Sequence, residues 1–203
     1  MPRRSDSKDR MIAAARRLFR EHGYFGTALS EVVSESSAPR GSLYFHFPGG
    51  KEELATEVAL AHSADTIAGI NRAAGTTSTA ADLIAAFINR SREELLASDY
   101  REGCAVAPIV IESTPASVQL TATTRRGFQD VIATLTSRIA EKGVPDDRAG
   151  QLALNAVTAM EGALILSRVL RSPEPFDAAI AQLAASAEAA AGASASFRGE
   201  HRR

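Results

Sequence analysis

The sequence predicts an all-α protein, with a small N-terminal head and a larger helical body. Apolar residues recur at intervals of three and four along most of the 203 residues, as on the buried side of amphipathic helices. Aromatic residues are only 5% and Trp is absent, so Ala, Leu, Ile and Val build the core, which favours helix. The one short apolar run that resembles a strand, 104–112, has Pro108 at its centre and no second run to pair with. A buried, kinked helix is the preferred interpretation.

Composition limits the class of protein. A single cysteine, Cys104, excludes an intrachain disulfide and fits a reducing compartment, so a cytoplasmic location is expected. The N-terminus is short and charged, without the apolar segment of a secretory signal. No apolar run approaches the length of a membrane span, so no membrane partner is expected.

Charge is distributed unevenly along the chain. Residues 1–51 carry a net charge of +4, and residues 52–203 carry −5. A basic head on an acidic body favours a polyanionic partner for the head alone. A chance asymmetry on a solvated surface is the alternative, because an excess of four charges is small.

Three helices are predicted in the head, after a flexible arm at 1–7. In chain order they run from a cap at Ser5 or Ser7 to Gly23, over 28–35, and over 39–46. Thr27 is predicted to cap the second, and Pro39 to occupy the first position of the third. The apolar side chains that hold these helices together are predicted to be Leu29, Val32, Val33, Leu43 and Phe47.

The body is predicted to contain six helices. In chain order they run from Lys51 towards Ile70, over 80–97, over the buried segment 104–112, over 115–142, over 146–171 with Asp146 as cap, and over 176–190. The small and polar segment 73–79 is predicted to be a loop. The division that follows is a head at 1–50, a body at 51–191 and a disordered tail at 192–203.

The head matches a helix-turn-helix unit, in which the second helix enters the major groove of DNA. Arg40 can donate two hydrogen bonds to a guanine edge or to phosphate. Ser42, Tyr44 and His46 offer hydrogen bonds to phosphate or base. Lys51 stands at a helix N-terminus, where its charge and the helix dipole form a phosphate clamp. Three core helices without a DNA role are the alternative.

Four motifs carry a family resemblance: GYFGT at 23–27, VV at 32–33, GSLYFHF at 41–47 and KEEL at 51–54. Over about residues 8–54 they resemble the N-terminal domain of the TetR family of transcriptional regulators. The turn at 36–38 reads Ser-Ser-Ala where the family usually has a Gly, and the Pro-Gly-Gly loop at 48–50 is one residue longer than usual. That loop, with Gly103-Cys104 and Pro108-Ile109, resembles the LmrA/YxaF branch.

The resemblance implies a transcriptional regulator, with a repressor preferred to an activator. It would bind a palindromic double-stranded DNA operator as a homodimer and be released by a small-molecule effector that the sequence does not identify. A DNA-binding protein without an effector is the alternative. The predicted DNA contacts are Thr27, Ser30, Ser37, Arg40, Gly41, Ser42, Tyr44, His46 and Lys51.

The resemblance also implies an effector pocket in the body. Its candidate lining residues are Phe87, Cys104, Val106, Ile109, Phe128, Ile132, Met160 and Glu161. The carboxylate of Glu161 is costly to bury unpaired, so it either binds a polar ligand group or pairs with Arg125 or Arg126. Cys104 is a small core residue or a redox sensor; the first is expected, because no basic residue adjoins it in sequence.

The helices at 115–142 and 146–171 are the predicted dimer contacts, packing against the same helices of a second copy. The second is apolar on more than one face, as expected for a helix buried on two sides. Burial wholly within its own subunit is the alternative. The predicted interface residues are Phe128, Leu135, Leu152, Val157, Leu164 and Val169.

An enzyme is not expected. The sequence has no Gly-rich phosphate loop and no Cys/His metal spacing, and its four His are scattered at 22, 46, 62 and 201. No cofactor and no metal are therefore predicted.

Overall fold

A computed structural model describes the backbone of residues 4–200. Residues 1–3 and 201–203, and the side chains of residues 4–6, 40 and 193–200, lie outside the described part. Within the described residues the fold is all-α, as predicted, with one 3-10 turn and no strand. The helices are α1 (Arg4–His22), α2 (Leu29–Glu35), α3 (Leu43–His46), α4 (Gly50–Thr76), α5 (Ala80–Ala97), α6 (Ala107–Ser113), α7 (Val118–Ala140), α8 (Asp146–Leu170) and α9 (Glu174–Glu200), and the 3-10 turn Arg40–Ser42 precedes α3.

The chain divides into two compact units, each built from two separate segments. The first unit contains the described residues up to Ala64 together with Arg101–Phe128. The second contains Asp65–Tyr100 together with the described residues from Gln129 onward. The division falls inside α4 and α7 and not between residues 50 and 51, so the domain boundary predicted there stays a prediction.

The first unit has a core to which both of its segments contribute. Met11, Phe19, Phe47 and Leu54 are completely or almost completely buried. The second segment adds four buried side chains to the same cluster, those of Ala105, Val106, Ile109 and Leu120. Burial of a side chain the size of Val, Ile or Phe contributes roughly 1.5–3 kcal/mol. The short helices of the head are therefore stabilised largely by residues that lie far from them in sequence.

The second unit is built around α5, α8 and α9, which pack against one another. Helix α5 matches the predicted range 80–97, and Thr79 caps it by accepting the Asp82 N–H at 3.1 Å. The predicted dimer contacts in 115–142 and 146–171 correspond to α7 and α8, and α9 follows them in the chain.

Helix α8 is apolar on two faces. Its buried side includes Leu152, Met160 and Leu164. Other apolar side chains of α8 are exposed, namely Leu154, Ile165, Leu166, Val169 and Leu170. Contrary to the sequence-based expectation, the helix is long and apolar enough for a membrane span, with a mean hydropathy of 1.3 over 18 residues. Core helices of soluble proteins meet the same criterion, so length and hydropathy alone do not identify a span.

Several predicted helix starts in the head are wrong. Helix α1 begins at Arg4, so residues 4–7 of the predicted flexible arm are helical. Ala28 is the N-cap of α2 instead of Thr27, and its N–H donates to the Glu31 carboxylate at 2.8 Å. Pro39 precedes the 3-10 turn with extended backbone (ψ 135°), so it is the N-cap and not the first helical residue.

Two helix boundaries in the body, the end of α4 and the start of α7, differ from prediction because side chains cap the backbone there. Helix α4 continues to Thr76, through half of the predicted loop 73–79, and Lys142 Nζ donates to the carbonyls of Ala74 and Thr77 at 2.8 and 2.5 Å. Helix α7 begins at Val118 instead of Pro115, because Ser117 Oγ accepts the Leu120 N–H at 3.0 Å.

Three other boundaries differ for local reasons. Helix α6 starts at Ala107, so Pro108 lies in its first turn, where its missing N–H costs nothing, and does not kink it. Pro145 is the N-cap of α8, and Asp146 is the first helical residue. Helix α9 begins at Glu174 and continues to Glu200, through most of the predicted disordered tail. Residues 201–203 of that tail lie outside the described part.

Candidate nucleic-acid interface

The turn between α2 and α3 depends on one residue in a left-handed conformation. Ser37 has φ +51°, although it is not glycine. Around it, Ser36 N–H donates to Val32 O at 3.0 Å and Ala38 N–H donates to Val33 O at 3.4 Å. This is the geometry of a helix C-terminus closed by a left-handed residue. The Ser-Ser-Ala sequence thus forms the tight turn in which a glycine is usual.

The segment after the turn is a 3-10 turn that runs into a single turn of α-helix. Ser42 donates from both its N–H (2.9 Å) and its Oγ (2.6 Å) to the carbonyl of Pro39. Leu43 and Phe47 are 2% and 0% exposed, as predicted, and anchor the segment in the core of the first unit. The buried side of α3 therefore leaves its other side chains directed away from the core.

Two aromatic side chains dominate the outer face of α3. Tyr44 is 67% exposed and Phe45 is 66% exposed. Tyr44 also borders an open groove of about 540 Å³ between α2 and α3, lined by Leu29, Ser30, Val33, Ser34, Ser37, Ala38, Leu43 and Tyr44. Phe45 was not among the predicted contacts. Its exposure follows from the same helical spacing that buries Leu43 and Phe47. The sequence-based prediction selected mainly residues that can form hydrogen bonds, so it missed Phe45.

The connection between α1 and α2 is held by Thr27. Its side chain is 1% exposed, and Oγ1 donates to Gly23 O at 2.8 Å. This hydroxyl closes the loop in which Tyr24 packs edge-to-face on Phe19, with ring centroids 5.6 Å apart. Because the Thr27 side chain is buried and its hydroxyl already donates within the chain, it stabilises the fold, and Thr27 is not included among the proposed DNA contacts.

Lys51 lies in the first turn of α4, but its ammonium group already makes two contacts within the chain. Its Nζ donates to Phe25 O at 3.3 Å and stands 4.9 Å from the centre of the Tyr24 ring. Burial lowers the pKa of Lys51, and the negative charges of Glu112 and Glu31 partly oppose that shift. Burial also raises the pKa of Tyr24, with smaller contributions from Glu52 and Glu112.

Other cations of the head are also engaged in the fold. Lys8 pairs with Glu57 at 2.6 Å, Arg17 pairs with Glu35 at 2.5 Å, and Arg20 pairs with Glu102 at 3.1 Å. In addition, Arg10 Nε donates to Ser36 O at 3.0 Å, which ties α1 to the turn. The net charge of the head therefore overstates the positive charge that faces a ligand.

The remaining predicted contacts differ in exposure. The exposed ones are Ser30, Ser37, Gly41 and Tyr44, whereas Ser42, His46 and Lys51 are partly buried. The side chain of Arg40 lies outside the described part, and its backbone forms the first residue of the 3-10 turn. A Cβ built on Gly41 meets nothing within 4 Å, so this position presents open backbone on the same segment.

The predicted effector residues are divided between the two units. Cys104, Val106, Ile109 and Phe128 belong to the core cluster of the first unit, where Val106 and Ile109 are buried. The other four, Phe87, Ile132, Met160 and Glu161, belong to the second unit, where Phe87 and Met160 are buried. Membership of a pocket, and the role of Glu161, stay predictions.

Cys104 has basic neighbours that its sequence context did not show. Its Sγ lies 4.0 Å from His62 Nε2, and His62 Nδ1 lies 3.4 Å from a guanidinium nitrogen of Arg16. The N–H groups of Val106 and Ala107 also point at Sγ, each at 3.4 Å. His62 comes from the first segment of the unit, 42 residues before Cys104, so sequence adjacency could not reveal it.

Most of the predicted dimer residues are buried within their own chain. Leu135 is completely buried, and Leu152, Val157 and Leu164 are each 6% exposed, so these four side chains pack within the chain and are not proposed as interface contacts. Phe128 is partly buried against the core of the first unit. Val169, at 73% exposure, is the one predicted residue with a largely exposed side chain.

Two family models match the chain. "Bacterial regulatory proteins, tetR family" matches residues 11–58, and "Transcriptional regulator LmrA/YxaF-like, C-terminal domain" matches residues 80–182. An uncharacterized HTH-type transcriptional regulator of Mycobacterium tuberculosis is 36% identical over 185 residues, covering 87% of this chain and 91% of the relative. HTH-type transcriptional regulator LmrA of Bacillus subtilis is 29% identical over 171 residues, with coverages of 84% and 91%. The crystal structure of a TetR transcriptional regulator from Chloroflexus aurantiacus is similar, with a TM-score of 0.75, 26% identity and coverages of 91% and 96%.

Proposed function

This chain belongs to the TetR family of transcriptional regulators, in its LmrA/YxaF-like branch, and on that basis we propose that it is an effector-controlled repressor. It binds a palindromic operator as a homodimer, and a small molecule releases it. The observation that carries the DNA-binding part is the outer face of the segment from Arg40 to His46, where Gly41, Tyr44 and Phe45 are exposed above an anchored core.

The outer face of this segment supports reading of the major groove. In a helix-turn-helix unit the second helix enters that groove and the first crosses the backbone. Tyr44 offers a hydroxyl and a ring, and Ser42 keeps acceptor capacity at Oγ while it donates to Pro39. We add Phe45 to the proposed contacts, because an exposed ring beside Tyr44 can pack on a sugar or a thymine methyl.

Lys51 and Arg40 are proposed to have different roles. Lys51, in the first turn of α4, contributes a charge towards phosphate, while its hydrogen bond to Phe25 O holds the loop between α1 and α2. Arg40 begins the segment that faces the groove and is proposed to read a base edge. Arg40 is therefore proposed to determine which sequence is bound, and Lys51 to neutralise phosphate charge on any sequence.

An operator is first selected from random duplexes with the wild-type protein, and binding is then measured over a range of salt concentrations. Arg40→Ala is expected to weaken operator binding by about 1–3 kcal/mol and to relax sequence preference. Lys51→Ala is expected to weaken binding to all duplexes and to lower the salt slope by about one unit. The exposed Arg72→Ala in α4 is the control, with binding unchanged.

Two results would count against these roles. Equal losses on all sequences for Arg40→Ala would mean that it contacts phosphate only. A wild-type protein that selects no duplex would contradict the DNA-binding function itself.

Dimerisation is proposed through the exposed apolar face of α8. Leu154, Ile165 and Val169 lie within about one-sixth of a turn of one another on a helix with 3.6 residues per turn. They are 52%, 63% and 73% exposed, on the side of α8 opposite the buried Met160. Homodimer interfaces are more apolar than the rest of a protein surface, so this face has the character expected of a contact with a second copy. Two heads would then read two half-sites of a palindrome.

The effector is proposed to act by shifting a population. It favours a conformation in which the two recognition segments no longer match adjacent major grooves, and its differential affinity for the two conformations sets the size of the effect. Titration of a broad set of small molecules against the operator complex tests this step. Release by none of them would favour a regulator without an effector. Because its proposed partner is bacterial DNA, we place the protein in the cytoplasm.

A further inference from the structure

Phe25, in the loop before α2, has its backbone held from two sides. Its N–H donates to Oε2 of Glu112 at 2.5 Å, and its carbonyl accepts from Nζ of Lys51 at 3.3 Å. Glu112 lies in α6, 87 residues further along the chain, and Lys51 lies in the first turn of α4. All three residues belong to the first unit. One peptide segment is thus held between two helices by groups of opposite charge.

Gly23 provides the space for this carboxylate. A Cβ on Gly23 would lie 2.7 Å from Oε1 of Glu112, closer than real Cβ atoms approach an oxygen. Gly23 also has φ +84°, a conformation that residues with side chains rarely adopt. The glycine that ends α1 therefore serves two purposes: it turns the chain, and it admits the side chain of α6.

The held segment leads directly into α2. Thr27 N–H donates to Tyr24 O at 3.4 Å, and Ala28, three residues after Phe25, is the N-cap of α2. Displacement of Phe25 would break the hydrogen bonds to Glu112 and Lys51 that hold the connection between α1 and α2. The start of α2 is therefore set in part by a side chain of α6, outside the region to which DNA contacts were assigned.

We propose that Glu112 is a positioning residue for DNA binding, which fixes the loop before α2 through the Phe25 N–H. This inference rests on the proposed function, because it assumes that the first unit binds an operator. Glu112 itself touches no DNA. Its effect arises because binding affinity falls in proportion to the fraction of molecules whose loop is correctly placed.

The test compares Glu112→Ala with Glu112→Gln in the full-length chain, on the selected operator and on a non-specific duplex. The alanine variant removes the acceptor and is expected to weaken operator binding about tenfold, with little change on the non-specific duplex. The glutamine variant keeps a carbonyl acceptor and is expected to restore most of the affinity. Glu93→Ala, at an exposed position of α5, is the matched control and should bind as the wild type does.

Amide hydrogen exchange gives a second readout, which a general loss of stability would not reproduce. Exchange at the Phe25 amide is expected to accelerate in Glu112→Ala more than at amides in the core of α1, and to stay close to wild type in Glu112→Gln. Glu112→Asp, which withdraws the carboxylate by one methylene, should behave as the alanine variant does. It serves in place of the alanine variant if that protein does not fold.

The outcomes separate the inference from the proposed function. A wild type that binds its operator, with Glu112→Ala binding equally well, would overturn the inference and leave the function intact. A loss of affinity without faster exchange at Phe25 would also overturn it. A wild type that binds no duplex would overturn both.

Discussion

Replacement of Ser37 by glycine tests the turn between α2 and α3. Ser37 has φ +51°, and the left-handed region costs a residue with a side chain roughly 1–2 kcal/mol. Glycine avoids that cost but adds about 0.4–1 kcal/mol of conformational freedom to the unfolded chain. The difference predicts that Ser37→Gly stabilises the protein by about 0.5–1 kcal/mol. At roughly 2–4 °C per kcal/mol for a chain of this size, Tm should rise by about 1–4 °C, measured by circular dichroism.

The control for this prediction is the same substitution three residues earlier. Ser34 is also exposed, but it lies in α2, where the backbone is right-handed. Ser34→Gly should therefore destabilise the protein by about 0.5–1 kcal/mol, because glycine only adds freedom there. The two variants are expected to have opposite signs. Destabilisation by both would refute the conclusion that strain at Ser37 limits the stability of this turn.

Two further substitutions test the surfaces proposed for DNA and for the second copy. Gly41→Ala adds a Cβ that meets nothing within 4 Å, so the fold should be unaffected or gain about 0.4–1 kcal/mol, while gel-shift affinity for the operator falls if DNA approaches this backbone closely. Unchanged affinity would remove Gly41 from the interface. Ile165→Asp places a carboxylate on the exposed face of α8, at a cost of several kcal/mol if that face is covered, and should yield monomers in sedimentation velocity. The exposed Ile111→Asp should remain dimeric, and a monomeric wild type would contradict the proposed interface.

The core of the head was predictable from its apolar spacing. Val32, Leu43 and Phe47 are buried as predicted, because the spacing of apolar residues determines which side of a short helix faces inward. The ion pairs were not predictable. Arg17 contacts Glu35 across the head, and Arg20 contacts Glu102 from the second segment, pairings for which the sequence contains no local signal. Reading these cations as available to DNA therefore overestimated the charge of the interface.

The second unit shows where helical periodicity stops being informative. The sequence correctly indicates that α8 is apolar on more than one side, but it does not show which side belongs to the chain's own core. Leu152 and Leu164 were predicted at the dimer interface and are buried, while Leu154 and Ile165 are exposed. A helix with apolar residues around most of its circumference has no single preferred face, so only the positions of α5 and α9 decide the assignment.

The composition of the first unit has a consequence for synthesis on the ribosome. Its core includes Ala105, Val106, Ile109 and Leu120, so the helix-turn-helix segment emerges long before the residues that complete its core. At roughly 5–20 residues per second, the chain between Ala64 and Phe128 takes on the order of several seconds to make. During that interval the nascent head exposes part of its apolar surface. A fragment that ends near residue 58, where the N-terminal family model ends, lacks the same side chains.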